Sequence, residues 1–295
     1  MPTARRSVHR TLITPDELAE AMGGPRPPVL LDARYNLTGP SAREEYARGH
    51  LPGAVFVDVD TELSGPRDPR GVGGRHPLPD PRHLQEVLRR AGVRAGHPVV
   101  AYDGGSGGMA AARVWWLLRW AGHEAVAVLD GGYAAWVAAG YPVTREVPEP
   151  EPGDVVVRPG GMPVVDAEGA AALADTGVLL DARAAERYRG EVEPVDPRAG
   201  HIPGARNAPF VEHVGPDGRW RTAEQLRERF TALGVEPDGP VGAYCGSGVS
   251  ACAVVLALEV AGLTTADRPA ALYPGSWSEW SSDPARPVAT GDDPH

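Results

Sequence analysis

The chain has 295 residues, enough for two domains of ordinary size, with 42% hydrophobic and 23% charged residues, as in a globular protein. Lys and Arg total 29 against 39 Asp and Glu, and the formal charge of -10 argues against general binding to nucleic acid or anionic membranes. No apolar run approaches the roughly 20 residues of a membrane helix. The N-terminal MPTARRSVHRTLIT contains no apolar stretch, so we expect no secretory signal.

The first half of the chain alternates short apolar runs with helical patterns. Thr14-Pro15-Asp16-Glu17 predicts a helix start, with a hydroxyl cap, proline at the first position and glutamate at the third. Residues 63–80 are dense in Gly, Pro and charge and predict an irregular loop. Strands are predicted at 28–32, 55–57, 99–102 and 125–130, and helices at 41–49, 81–92, 109–122 and from 131. This alternation favours α/β units on a mainly parallel sheet.

Four blocks recur in the same order after a proline-rich stretch. LDAR, GHLPGA, AYDG and GGYAAW in the first half are matched by LDAR, GHIPGA, AYCG and GSWSEW in the second. We therefore predict two copies of one domain, at 1–146 and 159–295, joined by a linker at 147–158. The copies differ most sharply where the first has Asp103 and the second has Cys245, so we expect the first copy to lack a nucleophile.

Cys245 stands between a predicted buried strand at 240–244 and a predicted helix from about 250. Its glycine-rich loop and the helix N-terminus combine backbone N–H groups and a helix dipole into an anion pocket. A cysteine there is expected to carry a thiolate at neutral pH. Cys252 is expected to pack in the core, and on one helix the two cysteines would be roughly 10 Å apart, too far for a disulfide. Such cysteine usage suits a reducing, cytoplasmic location.

The ordered blocks, the cysteine loop and the GxWxxW ending resemble the two-domain rhodanese-type sulfurtransferases over about residues 8–290. The loop CGSGVSA is most similar to the 3-mercaptopyruvate sulfurtransferase branch, whose pattern is CG(S/T)GVT, with Ser250 here in place of Thr. Thiosulfate sulfurtransferases typically carry basic residues after the cysteine, as in CRKGVT. The resemblance implies an α/β fold of two tandem rhodanese-like domains, each a mainly parallel sheet flanked by helices.

The resemblance also implies a reaction. Cys245 would take sulfur from a small anionic donor, become a persulfide, and pass the sulfur to cyanide or to a thiol such as thioredoxin or glutathione. Loop amides would stabilise the thiolate and the persulfide anion, which places the donor against Gly246, Gly248, Val249 and Ser250. We expect neither a cofactor nor a metal, and neither nucleic acid nor a membrane as a partner.

Further site residues follow from the same resemblance. Arg187, ahead of GHIPGA, would hold the donor carboxylate, since a guanidinium grips a carboxylate bidentately. A second arginine is expected in the acidic loop that follows; Arg198 is the best candidate, and Arg189 stays open. A polarising set of serine, histidine and aspartate would correspond to Ser247, His76 and Asp60, the last two from the first domain.

Three other functions are alternatives to this one. A thiosulfate:cyanide sulfurtransferase would use the same Cys245. A cysteine phosphatase of related fold needs Cys-x5-Arg, but Ala251 stands six residues after Cys245, which excludes it. A non-catalytic or redox-sensing rhodanese-like binding module is a third alternative, which the retained cysteine, loop and arginine disfavour.

Overall fold

The computed structural model describes residues 11–36, 40–105, 108–237 and 239–294. Most of the N-terminal segment assessed for a secretory signal, and residues 106–107 of the first glycine-rich loop, therefore lie outside the described residues. Within the described residues, no helix has the length and apolar character needed to cross a membrane.

The first domain is a five-stranded, all-parallel sheet in the order β1-β5-β4-β2-β3. Its strands are β1 (Leu12–Ile13), β2 (Val29–Asp32), β3 (Val55–Phe56), β4 (Val99–Tyr102) and β5 (Val126–Leu129). Its helices are α1 (Pro15–Met22), α2 (Ala42–Arg48), α3 (Pro81–Arg90), α4 (Met109–Trp120) and α5 (Gly132–Ala138). The predicted capping box is present at α1, where Thr14 accepts the N–H of Glu17 and the Glu17 side chain accepts the N–H of Thr14.

The second domain repeats this plan in a four-stranded, all-parallel sheet in the order β7-β6-β8-β9. Its strands are β6 (Val178–Asp181), β7 (Arg206–Asn207), β8 (Val241–Tyr244) and β9 (Ala271–Leu272). Its helices are α6 (Ala167–Thr176), α7 (Ala185–Tyr188), α8 (Ala223–Ala232), α9 (Ala251–Val260) and α10 (Ser276–Trp280), with a 3-10 turn at Phe210–His213. The place of β1 is taken by a single parallel bridge between Val164 and Leu272.

The recurring LDAR and GHxPGA blocks hold each sheet to the turn beside it. In the second domain Arg183 donates to the carboxylate of Asp181 and to the carbonyl oxygen of Gly200, both at 2.6 Å. The pair Arg34 and Asp32 makes the matching contact in the first domain at 2.7 Å. All four side chains of these two pairs are buried, so the blocks are structural parts of the fold and account for the duplication.

The two domains share one hydrophobic core, in which α4 of the first packs against α9 of the second. An ion pair between Arg119 of α4 and Glu259 of α9 (3.2 Å) lies at this contact. The segment predicted as a linker packs on the first domain: Gly153 donates to the carbonyl oxygen of Arg89 (2.7 Å), and Val155 is buried. In parallel sheets the loops at the carboxyl ends of the strands carry ligand sites. A ligand site is therefore expected at the loops after β4 and β8.

Candidate active site

The backbone around Cys245 encloses its sulfur. Cys245 directly follows β8, and its Sγ accepts the N–H of Gly248 at 3.0 Å. Its own N–H donates to Ser276 Oγ (3.1 Å), and its carbonyl oxygen accepts the N–H of Trp277 (2.9 Å). Gly248 has φ +84°, and a Cβ there would lie 2.4 Å from the carbonyl oxygen of Pro274, so this position requires glycine. The loop thus holds an amide donor against the sulfur of Cys245, a residue that is 1% exposed.

Cys252 has a different environment from Cys245. It lies inside α9, where burial raises its pKa to about 12, so it stays a neutral thiol and packs in the core as expected. Both cysteines are free, and Cys245 precedes the helix rather than belonging to it. Cys245 is therefore the cysteine placed for chemistry.

Ser247, His76 and Asp60 form a hydrogen-bonded line that crosses from one domain to the other. His76 Nδ1 lies 2.8 Å from Ser247 Oγ, and His76 Nε2 lies 2.8 Å from Asp60 Oδ1. Because a carboxylate only accepts hydrogen bonds, Nε2 carries the proton in the neutral ring and Nδ1 accepts from the Ser247 hydroxyl. Burial is the main cause that lowers the pKa of His76, outweighing the nearby Asp60, so the ring is neutral at pH 7. The structure brings these three predicted residues together.

Two arginines, one from each domain, face the loop beside Cys245. A Cβ built on Gly246 would lie 3.0 Å from Arg75 Nη2 and 3.4 Å from Arg187 Nη1. Arg187 was predicted from the sequence; Arg75 was not, although it directly precedes His76 and so shares its loop. The paired guanidinium edges can hold a carboxylate next to the sulfur.

The other predicted arginines lie elsewhere. The Arg198 guanidinium donates to the carbonyl oxygens of Ser281, Arg286, Trp280 and Asp283, where it anchors the segment that follows α10. Arg189 pairs with Glu191 at 2.8 Å, and neither Arg189 nor Arg198 lines the cavity over the cysteine loop.

A cavity of about 550 Å³ lies between the domains over the cysteine loop. The predicted residues that line it are Asp60, His76, Arg187, Gly246, Ser247, Val249 and Ser250. Unpredicted lining includes Arg75, Tyr35, Met109 and Phe210, so the rim is partly aromatic and apolar. Ser250 stands at the N-cap of α9 without a capping side-chain hydrogen bond. The cavity is large enough for a small anionic molecule and opens toward solvent.

The first domain fills the equivalent position with a carboxylate. Asp103 follows β4 as Cys245 follows β8, and it accepts the N–H groups of Gly105 (3.0 Å), Ala110 (3.0 Å) and Ala111 (3.1 Å). The duplicated loop therefore binds its own side chain as an internal anion. Burial raises the pKa of Asp103, and the three amides counter that effect.

Arg113, which the sequence analysis did not single out, connects the two loops of the site. It is a fully buried arginine on the apolar helix α4, and its Nη1 donates to the carbonyl oxygen of Gly248 (3.1 Å). Its Nη2 donates to the carbonyl oxygens of Leu63 (3.2 Å), His76 (3.1 Å) and Pro77 (3.3 Å). Its place in the middle of the helix, between apolar residues on both sides, was the sequence signal for it.

Comparisons with known proteins match this architecture. The model of the rhodanese-like domain matches residues 14–139 and 166–283. A Pseudomonas aeruginosa relative named "Probable 3-mercaptopyruvate sulfurtransferase" is 48% identical over 286 residues, covering 95% of this chain and 98% of the relative. A Mycobacterium tuberculosis relative, provisionally named a thiosulfate sulfurtransferase, is 45% identical over 288 residues, covering 96% of this chain and 98% of the relative.

Solved structures agree. The 3-mercaptopyruvate sulfurtransferase SseA from Escherichia coli superposes with a TM-score of 0.77 at 34% identity, covering 91% of this chain and 99% of that one. The 3-mercaptopyruvate sulfurtransferase from Leishmania major gives a TM-score of 0.79 at 29% identity, covering 94% of this chain and 76% of that one. Fold, duplication and cysteine loop define a tandem-domain sulfurtransferase. The chain belongs to the rhodanese-like family, with one copy of the domain in each half.

Proposed function

We propose that the protein transfers sulfur from 3-mercaptopyruvate to a thiol or cyanide through a persulfide on Cys245. The observation that carries this proposal is the line Ser247–His76–Asp60 beside Cys245. Thiosulfate releases sulfite, a stable anion that needs no proton to leave. Mercaptopyruvate releases the enolate of pyruvate, which does need a proton and a polarised carbonyl group. A proton relay through the buried His76 therefore suits mercaptopyruvate.

The chemistry follows from the contacts. The donor carboxylate binds Arg75 Nη2 and Arg187 Nη1, and the Cys245 thiolate attacks the donor sulfur. An S–S bond forms while the C–S bond breaks, and its electron pair passes to the pyruvate enolate. Neutral His76 takes the donor thiol proton through Ser247 and returns it as the enolate becomes pyruvate. The products are pyruvate and a Cys245 persulfide anion, which the amide of Gly248 stabilises.

In the second half-reaction an acceptor thiolate or cyanide attacks the outer sulfur and regenerates the Cys245 thiolate. Thioredoxin, glutathione and other small thiols all suit this step. Both cysteines are free thiols, and turnover requires that Cys245 stay reduced. A cytoplasmic location follows as part of this proposal, because that compartment keeps thiols reduced.

Thiosulfate is the second candidate donor, and a specific observation favours it. Arg75 and Arg187 bring two guanidinium groups to a loop that has no basic side chain of its own, and the M. tuberculosis relative carries a thiosulfate name. The deciding experiment measures kcat/KM of the wild-type protein for both donors with one acceptor. Mercaptopyruvate should give the higher value; a higher value for thiosulfate would replace the proposed donor.

A further inference from the structure

Two buried carboxylates balance the positive charges of the two arginines, Arg75 and Arg187, at the donor site. Asp196 accepts hydrogen bonds from Arg75 and, at 3.1 Å, from Arg187 Nη2. Glu193 accepts from Arg187 Nη2 at 2.6 Å. The carboxylate side chains are only 3% and 4% exposed, and both come from the loop between α7 and β7. Since Arg75 belongs to the first domain, Asp196 also links the domains at this point.

The charges of this cluster cancel. Arg75 and Arg187 contribute two positive charges, and Asp196 and Glu193 contribute two negative ones. Arg183 also touches Glu193, at 3.4 Å, but it is paired with its own acid in the structural LDAR block. Arg67 and Asp60 also line the cavity and add one charge of each sign, so the site has little surplus positive charge to offer a ligand.

The hydrogen-bonding capacity of the arginines is not cancelled in the same way. The acids hold Arg75 through Nη1 and Arg187 through Nε and Nη2. Arg75 Nη2 and Arg187 Nη1 are the atoms that lie 3.0 and 3.4 Å from the position of a Cβ on Gly246. These two groups can donate to one carboxylate beside Cys245, and the acids fix their direction.

We infer that Asp196, assisted by Glu193, makes the donor site selective for sulfur donors with a single negative charge and unfavourable for dianions. The inference rests on the proposed function and deepens it. A carboxylate gains two directed hydrogen bonds without needing net positive charge. Thiosulfate carries a second negative charge, which finds no net positive charge around the cavity and is repelled by the two acids. Asp196 is thus a specificity-determining residue.

The test compares Asp196→Asn with a matched control, Glu191→Gln. Glu191 is an acid of the same loop, but it is 56% exposed and pairs with Arg189 away from the cavity. Asp196→Asn should raise the ratio of kcat/KM for thiosulfate to kcat/KM for mercaptopyruvate by about tenfold or more. The reason is that removing one negative charge beside the site relieves more repulsion for a dianion than for a monoanion. Glu191→Gln should leave the ratio within about twofold, since an exposed charge is screened. An unchanged ratio in Asp196→Asn, or equal changes in both variants, would overturn the inference.

A binding experiment separates this inference from the proposed reaction. In a Cys245→Ser background no sulfur is transferred, so calorimetry reports binding alone for thiosulfate (a dianion) and pyruvate (a monoanion). Adding Asp196→Asn to this background should raise the affinity for thiosulfate relative to pyruvate by about the factor expected for the kcat/KM ratio. Asp196→Ser, tested as a second substitution, should do the same. If the relative affinity does not move in either variant, Asp196 does not select by charge. Failure of the wild type to use mercaptopyruvate would instead contradict the proposed donor and leave this result standing.

Discussion

His76 Nδ1 lies 2.8 Å from Ser247 Oγ, although 171 positions separate the two residues in the chain. The histidine comes from an irregular loop of the first domain and the serine from the cysteine loop of the second. The domain that lacks the nucleophile therefore supplies two members of the proton relay, together with Arg75. The active site exists only at the contact between the duplicated domains.

The hydrogen bond between Ser247 and His76 predicts that loss of the Ser247 hydroxyl affects kcat differently for the two donors. Ser247→Ala removes the hydroxyl that joins His76 to the donor, and positioned proton transfer is worth about 10²–10⁴-fold. We expect kcat for mercaptopyruvate to fall by about 10²-fold, with a much smaller fall for thiosulfate, which needs no proton on its leaving group. Steady-state kinetics with both donors measure the difference between the two losses in kcat. Equal losses would mean that Ser247 serves the loop structure only.

The pH dependence tests the state of His76. Burial holds the pKa of His76 below its usual 6.5, while Asp60 raises it. If neutral His76 is required, wild-type kcat/KM for mercaptopyruvate should stay level as the pH falls to 6.5 and decline only below it. Asp60→Asn removes a group that raises the pKa, so the decline should move to still lower pH while the plateau drops. A decline that moves to higher pH in this variant would contradict the assignment.

The two arginines should contribute comparably to donor binding. Losing a charged hydrogen-bond partner costs roughly 1.5–3 kcal/mol, or about 10- to 150-fold. Arg187→Ala and Arg75→Ala should each lower kcat/KM for mercaptopyruvate by such a factor, with Arg187→Lys recovering only part. Arg198→Ala should mainly lower the unfolding temperature, because its guanidinium binds backbone carbonyl groups. A catalytic loss confined to Arg198→Ala would restore Arg198 as the second donor-binding arginine.

The first domain should transfer no sulfur by itself. In the full-length Cys245→Ser protein the first domain is intact, but its loop encloses the carboxylate of Asp103, which cannot form a persulfide. Intact mass after incubation with mercaptopyruvate should show no added sulfur atom in Cys245→Ser and one in Cys252→Ser. Sulfur retained by Cys245→Ser would show that another residue carries it.

Arg113 should stabilise the arrangement of the two loops. Arg113→Met leaves buried carbonyl oxygens of His76 and Gly248 without their donor, which should cost about 3 kcal/mol of unfolding free energy. Denaturant unfolding measures this loss. Arg82→Met, on the exposed face of α3, is the matched control and should change the unfolding free energy by less than about 0.5 kcal/mol. Similar values for both variants would refute the role of Arg113.

The sequence determined much of the architecture because its signals are local. Apolar runs, the capping box at Thr14 and the glycine-rich segments place strands, helices and loops through interactions that span a few residues. The duplicated blocks revealed two copies of one domain, and each block serves the same backbone contacts in both. Cys245 and its loop were predicted for the same reason, since strand, glycines and helix N-terminus are consecutive in the chain.

The tertiary structure alone decided which arginines meet at the site. Arg198 and Arg75 are both surrounded by glycine, proline and charge in the sequence, and nothing local distinguishes their roles. Packing of α4 against α9 brings the loop of Arg75 over Gly246, whereas Arg198 turns toward the carbonyl groups after α10. The charge balance with Asp196 likewise depends on contact across 121 positions. Such contacts arise when the core closes, and local sequence preferences do not encode them.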